Sequence, residues 1–305
     1  MKKFFLLVLV FVCAGAVFAQ NEIEMSSSID AQISTLPEIK FGFTEQFIFP
    51  FLQGDSPLTS GNNISLALTA QLSPISLNFI TEAIWTPIAF FQFAAGARMG
   101  TGWNIELFGS DVYGIGINRE ITGGKGDIDG NPFDGLLWKM YSGAVLQADL
   151  AAFVPGDWNH VVFRTYHEFN YKGYSRANAY DSWIYENDSG ENINGFNYYG
   201  NFLLGYQMPL FFNMIALLAE VDVYLYDTPN RTGWGDELGR WTFSNVLSFS
   251  ITENFGVSLV TQLRTQRNFT QSNWKDLYYR NRTIDSSNPL MLEFYRVAAM
   301  LNYTF

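Results

Sequence analysis

Leu290 to Phe305 reads L-M-L-E-F-Y-R-V-A-A-M-L-N-Y-T-F. Taken at every second residue, Met291, Tyr295, Val297, Ala299, Leu301, Tyr303 and Phe305 form one apolar file, interrupted by Glu293. The other file carries Arg296, Asn302 and Thr304 among smaller apolar side chains. Alternation with period two marks a strand with one apolar face and one mixed face.

The same pattern recurs upstream. Ile39, Phe41, Phe43, Phe47 and Phe49 alternate with Lys40, Gly42, Thr44 and Gln46. Comparable files start near Ile64, Ile75, Ala89, Trp138, Val161, Phe196, Ile215, Trp241 and Phe255. A weaker file over 104–119 (Ile105, Leu107, Tyr113, Ile115, Ile117) is interrupted by Gly109 and Asp111 and is counted as a strand. Turn signals separate these files, among them Ser73-Pro74, Thr86-Pro87, Gly100-Thr101-Gly102, Pro155-Gly156-Asp157 and Thr252-Glu253-Asn254. Longer polar stretches near 56, 128, 183, 234 and 278 read as loops.

A final amphipathic strand closing on Tyr303-Thr304-Phe305 resembles the assembly signal of bacterial outer-membrane β-barrels. The resemblance implies that the barrel-inserting machinery reads Tyr303 and Phe305, and that the last strand pairs with the first. It covers the mature chain as architecture and carries over no further functional residue. The expected fold is all-β: a transmembrane antiparallel up-and-down barrel of about twelve strands, with ten or fourteen as alternatives. Short and long connections should then alternate, and an even strand count puts both chain ends in the periplasm. Thr86-Pro87 is the exception, a short connection assigned to the outer side.

Composition agrees. Aromatic residues are 17% and charged residues only 15% of the chain, whereas a water-exposed surface carries about 25–35% charged residues. Aromatic girdles are expected at both interfaces, with Trp85, Trp138, Tyr171, Tyr198 and Trp241 at the outer rim and Trp103, Tyr303 and Phe305 at the inner one. No stretch after residue 20 has the length and apolarity of a membrane helix.

Residues 1–19 read as a signal peptide. Lys2 and Lys3 precede the apolar run Phe4–Val12, and cleavage is expected near Ala19. Val12 precedes Cys13 where a lipidation motif requires a small residue, so ordinary cleavage is favoured. Residues 20–37 read as a polar periplasmic lead-in or a weak extra strand, and residues 38–305 as the barrel. Loss of Lys2 and Lys3 takes the formal charge from −11 to −13, which argues against a nucleic-acid partner. Cys13 is the sole cysteine, so disulfides do not hold the mature chain together.

The mixed faces carry the functional expectation. Inward basic residues are Lys40, Arg98, Lys139, Arg164, Arg264 and Arg296. Inward acids are Glu82, Glu106, Asp149, Glu168, Glu220 and Asp222. These either line a water-filled pore that selects small solutes or pair across a narrow lumen and plug it. A barrel of about twelve strands lies between those filled by side chains and those with open channels, and this favours a narrow pore. Glu45, Asp111, His167 and Glu293 are charged or polar residues on the expected lipid face. A surface-exposed structural or adhesive barrel acting through loops 173–194 and 268–289 is the alternative, followed by a lipid- or ligand-binding barrel.

Catalysis is not expected. Outer-membrane phospholipases place Ser two residues after the catalytic His, where this chain has Val162 and Phe169. Outer-membrane proteases place Asp two residues before a His, where it has Trp158 and Thr165. No cofactor is implied. Asp127, Asp129, Asn131 and Asp134 make a weak calcium candidate whose Gly and Pro positions depart from the EF-hand. The implied partners are outer-membrane lipid, the assembly machinery and small solutes.

Overall fold

The computed structural model describes residues 23–36, 38–107, 109–225, 235 and 237–305. The expected signal peptide lies outside the described residues. Twelve long strands close into one sheet: β1 (Glu24–Ser34), β2 (Glu38–Pro50), β3 (Asn63–Ser73), β4 (Ser76–Ile88), β5 (Phe91–Gly102), β6 (Leu137–Asp149), β7 (Val161–Tyr174), β8 (Gly195–Gln207), β9 (Phe212–Tyr224), β10 (Arg240–Ser250), β11 (Phe255–Arg267) and β12 (Leu290–Thr304). Each pairs antiparallel with its sequence neighbours. β1 pairs with β12, Ile29 opposite Tyr303, and this pairing closes the ring. Closure leaves no strand edge to face hydrocarbon without hydrogen-bond partners.

The count agrees with the expectation, but two of its members change places. Residues 24–34, inside the expected lead-in, form β1. Their apolar file (Met25, Ile29, Ala31, Ile33) is short and diluted by Ser27, and half of the facing file is serine, so alternation is faint. The stretch 104–119 supplies no barrel strand, because β5 pairs directly with β6, Arg98 opposite Lys139. It makes a small hairpin, Ile105–Leu107 with Ser110–Val112. It also supplies the central strand, Ile115–Glu120, of a three-stranded sheet with Gly126–Asp129 and Trp183–Tyr185. Its apolar file serves a loop core. Ile115 and Ile117 pack with Leu137, Tyr174, Trp183 and Tyr185.

Removing that strand reverses the expected sidedness of every connection before residue 103. The barrel end that holds both termini (the terminal end) carries connections 51–62, 89–90, 150–160, 208–211 and 251–254. The opposite, loop end carries 35–37, 74–75, 103–136, 175–194, 225–239 and 268–289. Thr86 and Pro87 lie within β4, whose turn is at Ala89-Phe90 on the terminal end. Trp85 and Trp103 therefore exchange rims. Trp85 stacks on Phe93 at 5.7 Å near the terminal end, and Trp103 packs on Phe133 at 5.2 Å at the loop end.

The outward surface is apolar, with Phe41, Phe43, Phe79, Met140, Phe169, Phe196, Leu217 and Phe294 all exposed. Aromatic residues gather at both ends of that band. Trp138 stacks on Tyr171 and Trp241 on Phe243 toward the loop end, while Phe211–Phe249 and Tyr303–Phe305 lie toward the terminal end. Such a band, flanked by aromatic girdles, is what a bilayer-spanning barrel presents to lipid.

The four outward exceptions resolve differently. A β-bulge shifts β12 by one residue against Gln262 and Leu263, so Glu293 faces inward and meets Arg264 at 2.6 Å. Asp111 belongs to the loop hairpin, opposite Glu106. Glu45 stays outward and accepts a hydrogen bond from Ser27 at 2.7 Å. His167 stays outward beside Gly200, bonded to Thr165 at 2.9 Å and to the Tyr198 hydroxyl at 2.7 Å.

Candidate functional site

The candidate site is the lumen. Strand alternation turns Ser, Asn, Gln and charged residues inward. Three loops fold over the loop end. Tyr279 ties loop 268–289 to loop 175–194, its hydroxyl donating to the Tyr180 carbonyl at 2.8 Å and accepting from Ser182 N–H at 3.0 Å. Loop 103–136 joins through Tyr278 N–H to the Gly124 carbonyl and through the pairing of Ile117 with Trp183. Beneath this cap lies a cavity of about 1080 Å³. Its described lining includes ten Lys or Arg residues and six Asp or Glu residues. The basic excess contrasts with the negative chain as a whole. A second cavity of about 450 Å³ lies toward the terminal end, lined by Gln32, Gln71, Asn213, Ser248, Ser258 and Asn302 among others, and Lys40 borders both.

At the loop end, carboxylates sit between pairs of cations. Glu186, from the segment after Trp183–Tyr185, points to the wall. Its Oε2 meets Lys40 Nζ at 2.9 Å and Arg98 Nη2 at 3.2 Å. Its Oε1 accepts from Ser76 Oγ at 2.7 Å and Asn78 Nδ2 at 2.8 Å. Asn78 is fixed in that orientation because its Oδ1 accepts from Arg98 Nε at 2.9 Å and from the Tyr185 hydroxyl at 2.7 Å. A Cβ at residue 100 would lie 2.3 Å from Asn78 Oδ1 and 2.4 Å from the Tyr185 hydroxyl, so Gly100 makes this approach possible. Burial raises the Glu186 carboxyl, but Arg98 and Lys40 outweigh it and hold the pKa at about 2.

The same arrangement recurs twice. Asp222 meets Arg240 at 3.1 Å and Lys172 at 4.0 Å, with the Tyr224 ring beneath both cations. Glu191 meets Arg267 at 3.3 Å and Arg282 at 4.0 Å. Two of the three carboxylates, Glu186 and Glu191, come from one loop.

Elsewhere in the wall, a charge meets one opposite charge or a neutral hydrogen-bond partner. Glu168, buried, meets Lys139 at 2.6 Å and accepts from Tyr166 and Asn170. Glu82 accepts from Tyr141 at 2.9 Å, and Glu220 from Tyr199 at 2.5 Å. Arg264 pairs with Glu293 and Arg296 with Glu38. Arg164 donates to Asn201 at 3.4 Å. Asp149 lies at the terminal rim, bonded to His160 at 2.6 Å.

Of the twelve charged residues expected to line the lumen, Glu106 is misplaced, because its segment is a loop hairpin and no part of the wall. Lys40 and Arg98 converge on one carboxylate, and Lys139 and Glu168 pair directly. Sequence reasoning missed Glu38, Lys172, Arg240 and Arg267, at strand ends where alternation fades into loops. It also missed Glu186, Glu191 and Arg282, whose loops show no periodicity. The four calcium candidates do not converge. Asp129 pairs with Arg119 and Asp134 with Arg176, and Asp127 accepts from Ile128 N–H. Among the described residues, no group of three or more acidic, His or Cys side chains forms a metal site.

No protein-family model matches the chain, and no curated protein matches it. The solved structures that resemble it include three porins. The KdgM porin is 10% identical with a TM-score of 0.41, covering 92% of this chain and 99% of that one. The NanC porin is 7% identical with a TM-score of 0.41 and the same coverage. Salmonella typhi OmpF is 8% identical with a TM-score of 0.30, covering 93% and 98%. At these values the likenesses bear on neither solute nor mechanism. On its own geometry, the chain has the fold of a bacterial outer-membrane, porin-like β-barrel: a closed twelve-strand sheet, an apolar outward band and a polar lumen.

Proposed function

We propose that this protein forms a narrow pore for small solutes in a bacterial outer membrane, with the terminal end in the periplasm and the loop end outside. The observation that carries this reading is the contrast across one sheet. Apolar and aromatic side chains face outward, while charged and amide side chains surround a cavity of about 1080 Å³. A lumen can hold such charges where water or an opposite charge meets them. The chain acts as a passage and not as an enzyme, and its interior sorts solutes by size and charge. Export follows cleavage near Ala19, and Tyr303 and Phe305 present the terminal strand to the assembly machinery.

Purified protein in planar lipid bilayers should give stepwise, steady conductance, altered by Arg164→Ala or Glu220→Ala. Conductance no higher than that of empty detergent controls would remove the reading. The folded cap favours a second reading, adhesion through the loops, since Ile115, Ile117, Trp183 and Tyr185 pack it into an ordered core on Leu137 and Tyr174 at the ends of β6 and β7. Deletion of loop 268–289 would then abolish surface binding while the barrel still assembles.

A further inference from the structure

The Glu186 contacts differ from an ordinary surface ion pair. Four donors converge on a single carboxylate, and all four belong to the barrel wall: Lys40 on β2, Ser76 and Asn78 on β4, and Arg98 on β5. Ser76 and Asn78 are fully buried. Arg98 holds Asn78 with its amide nitrogen toward the carboxylate. The wall thus presents a formed site with charge, hydroxyl and amide donors matched to one carboxylate.

The group that fills it arrives at a cost. Glu186 and Asn187 have φ of 52° and 54°. Left-handed backbone is unfavourable for a side chain such as that of Glu186, and such strain persists where surrounding contacts enforce it. The site also borders the cavity of about 1080 Å³, so a solute in the lumen can reach it. With Glu186 in place, two cations still face one anion.

We propose that Lys40, Ser76, Asn78 and Arg98 form a binding site for the carboxylate of a passing acidic solute, and that Glu186 occupies it as an internal competitor which the solute displaces. This rests on the pore reading for its solute. Displacement exchanges one carboxylate for another on the same donors and releases the left-handed segment, so the loop-end cap loosens when acidic solute is present. A neutral sugar has no charge to set against Glu186 and leaves the segment in place.

The test uses the full chain refolded in detergent, with hydrogen exchange followed at the amides of residues 183–190. Saturating D-glucuronate should speed exchange several-fold, whereas D-glucose and chloride at matched ionic strength should not. Glu186→Gln should speed exchange without solute, and Lys40→Met should abolish the response to glucuronate. Exchange indifferent to glucuronate, or unchanged by Glu186→Gln, would overturn the proposal, and the wild-type comparison needs no variant to fold. Parallel bilayer recordings separate the two readings. Conductance with glucuronate-blind exchange removes the carboxylate site and leaves the pore. Glucuronate-dependent exchange without conductance removes the pore and leaves the site.

Discussion

The two halves of the lumen are built from the same strands and differ in chemistry. Toward the terminal end, inward side chains meet as neutral pairs, Thr44 with Thr69 and Ser248 with Ser258, each at 2.8 Å, with Asp30 taking a bond from Asn302. Toward the loop end, Lys40, Arg98, Lys172, Arg240, Arg267 and Arg282 surround Glu186, Asp222 and Glu191. A neutral hydroxyl pair contributes about 0.5–1.5 kcal/mol and is indifferent to pH. A charge withdrawn from water is costly to leave alone, and Glu186, Asp222 and Glu191 are each held by two cations. The cations therefore cluster in the loop half, while the terminal half carries mostly neutral side chains, with Asp30, Asp149 and Arg164 as exceptions.

The sharpest way to break this contrast is to strip a buried charge of its partner. Lys139→Met leaves the Glu168 carboxylate, only 4% exposed, without its cation. Breaking such a pair should cost about 3–5 kcal/mol, seen as a fall in the urea midpoint of the refolded barrel. Full retention of stability would mean that Tyr166 and Asn170 alone satisfy Glu168.

Acid tests the loop half next. The Glu186 carboxyl is depressed in the folded state, from 4.5 to about 2, because Arg98 and Lys40 overcome its burial. A depressed acid contributes stability that is complete above its unfolded value and fades as pH falls through the folded one. Its charged neighbours are Lys40 and Arg98, and the Tyr185 ring lies against the Arg98 guanidinium. Protection of amides 183–190 from exchange should therefore hold at pH 4.5 and drop toward pH 2. Loss already at pH 6 would place the latch elsewhere.

A smaller effect is expected of Tyr141→Phe, which removes the hydroxyl donor to Glu82 and should cost about 1–3 kcal/mol in the same urea unfolding. The smallest belongs to the terminal half. Ser248→Ala should cost about 0.5–1.5 kcal/mol and leave the reversal potential in a salt gradient unmoved. A shift in that potential would show that the terminal half also sorts ions.

Legibility followed the length of each alternating run. β2, β3, β7 and β11 carry long and mostly apolar files, and their inward charges (Lys40, Arg164, Glu168, Arg264) are where alternation puts them. β1 was hidden because Ser27 and its serine neighbours blunt the contrast between faces. The stretch 104–119 was misread because Ile115 and Ile117 are apolar for a different neighbour, Trp183 in another loop. Period two shows that a side chain is shielded from water, but lipid and a loop core shield it equally well. The bulge in β12 put Glu293 on the wrong face, since one extra residue reverses every side chain beyond it.

By itself the sequence determined the all-β barrel and the separation of apolar from polar faces, because these follow from the two-residue repeat of an extended chain and the composition on each side, whereas its count of twelve included one loop segment and left out one true strand. Only the tertiary structure decided which residues meet in the lumen. Glu186 is 146 residues from Lys40, and the loop that delivers it has no repeat of its own. Such meetings depend on where closure of the ring brings distant strands and how the loops fold across its mouth, and no local pattern of residues records that distance.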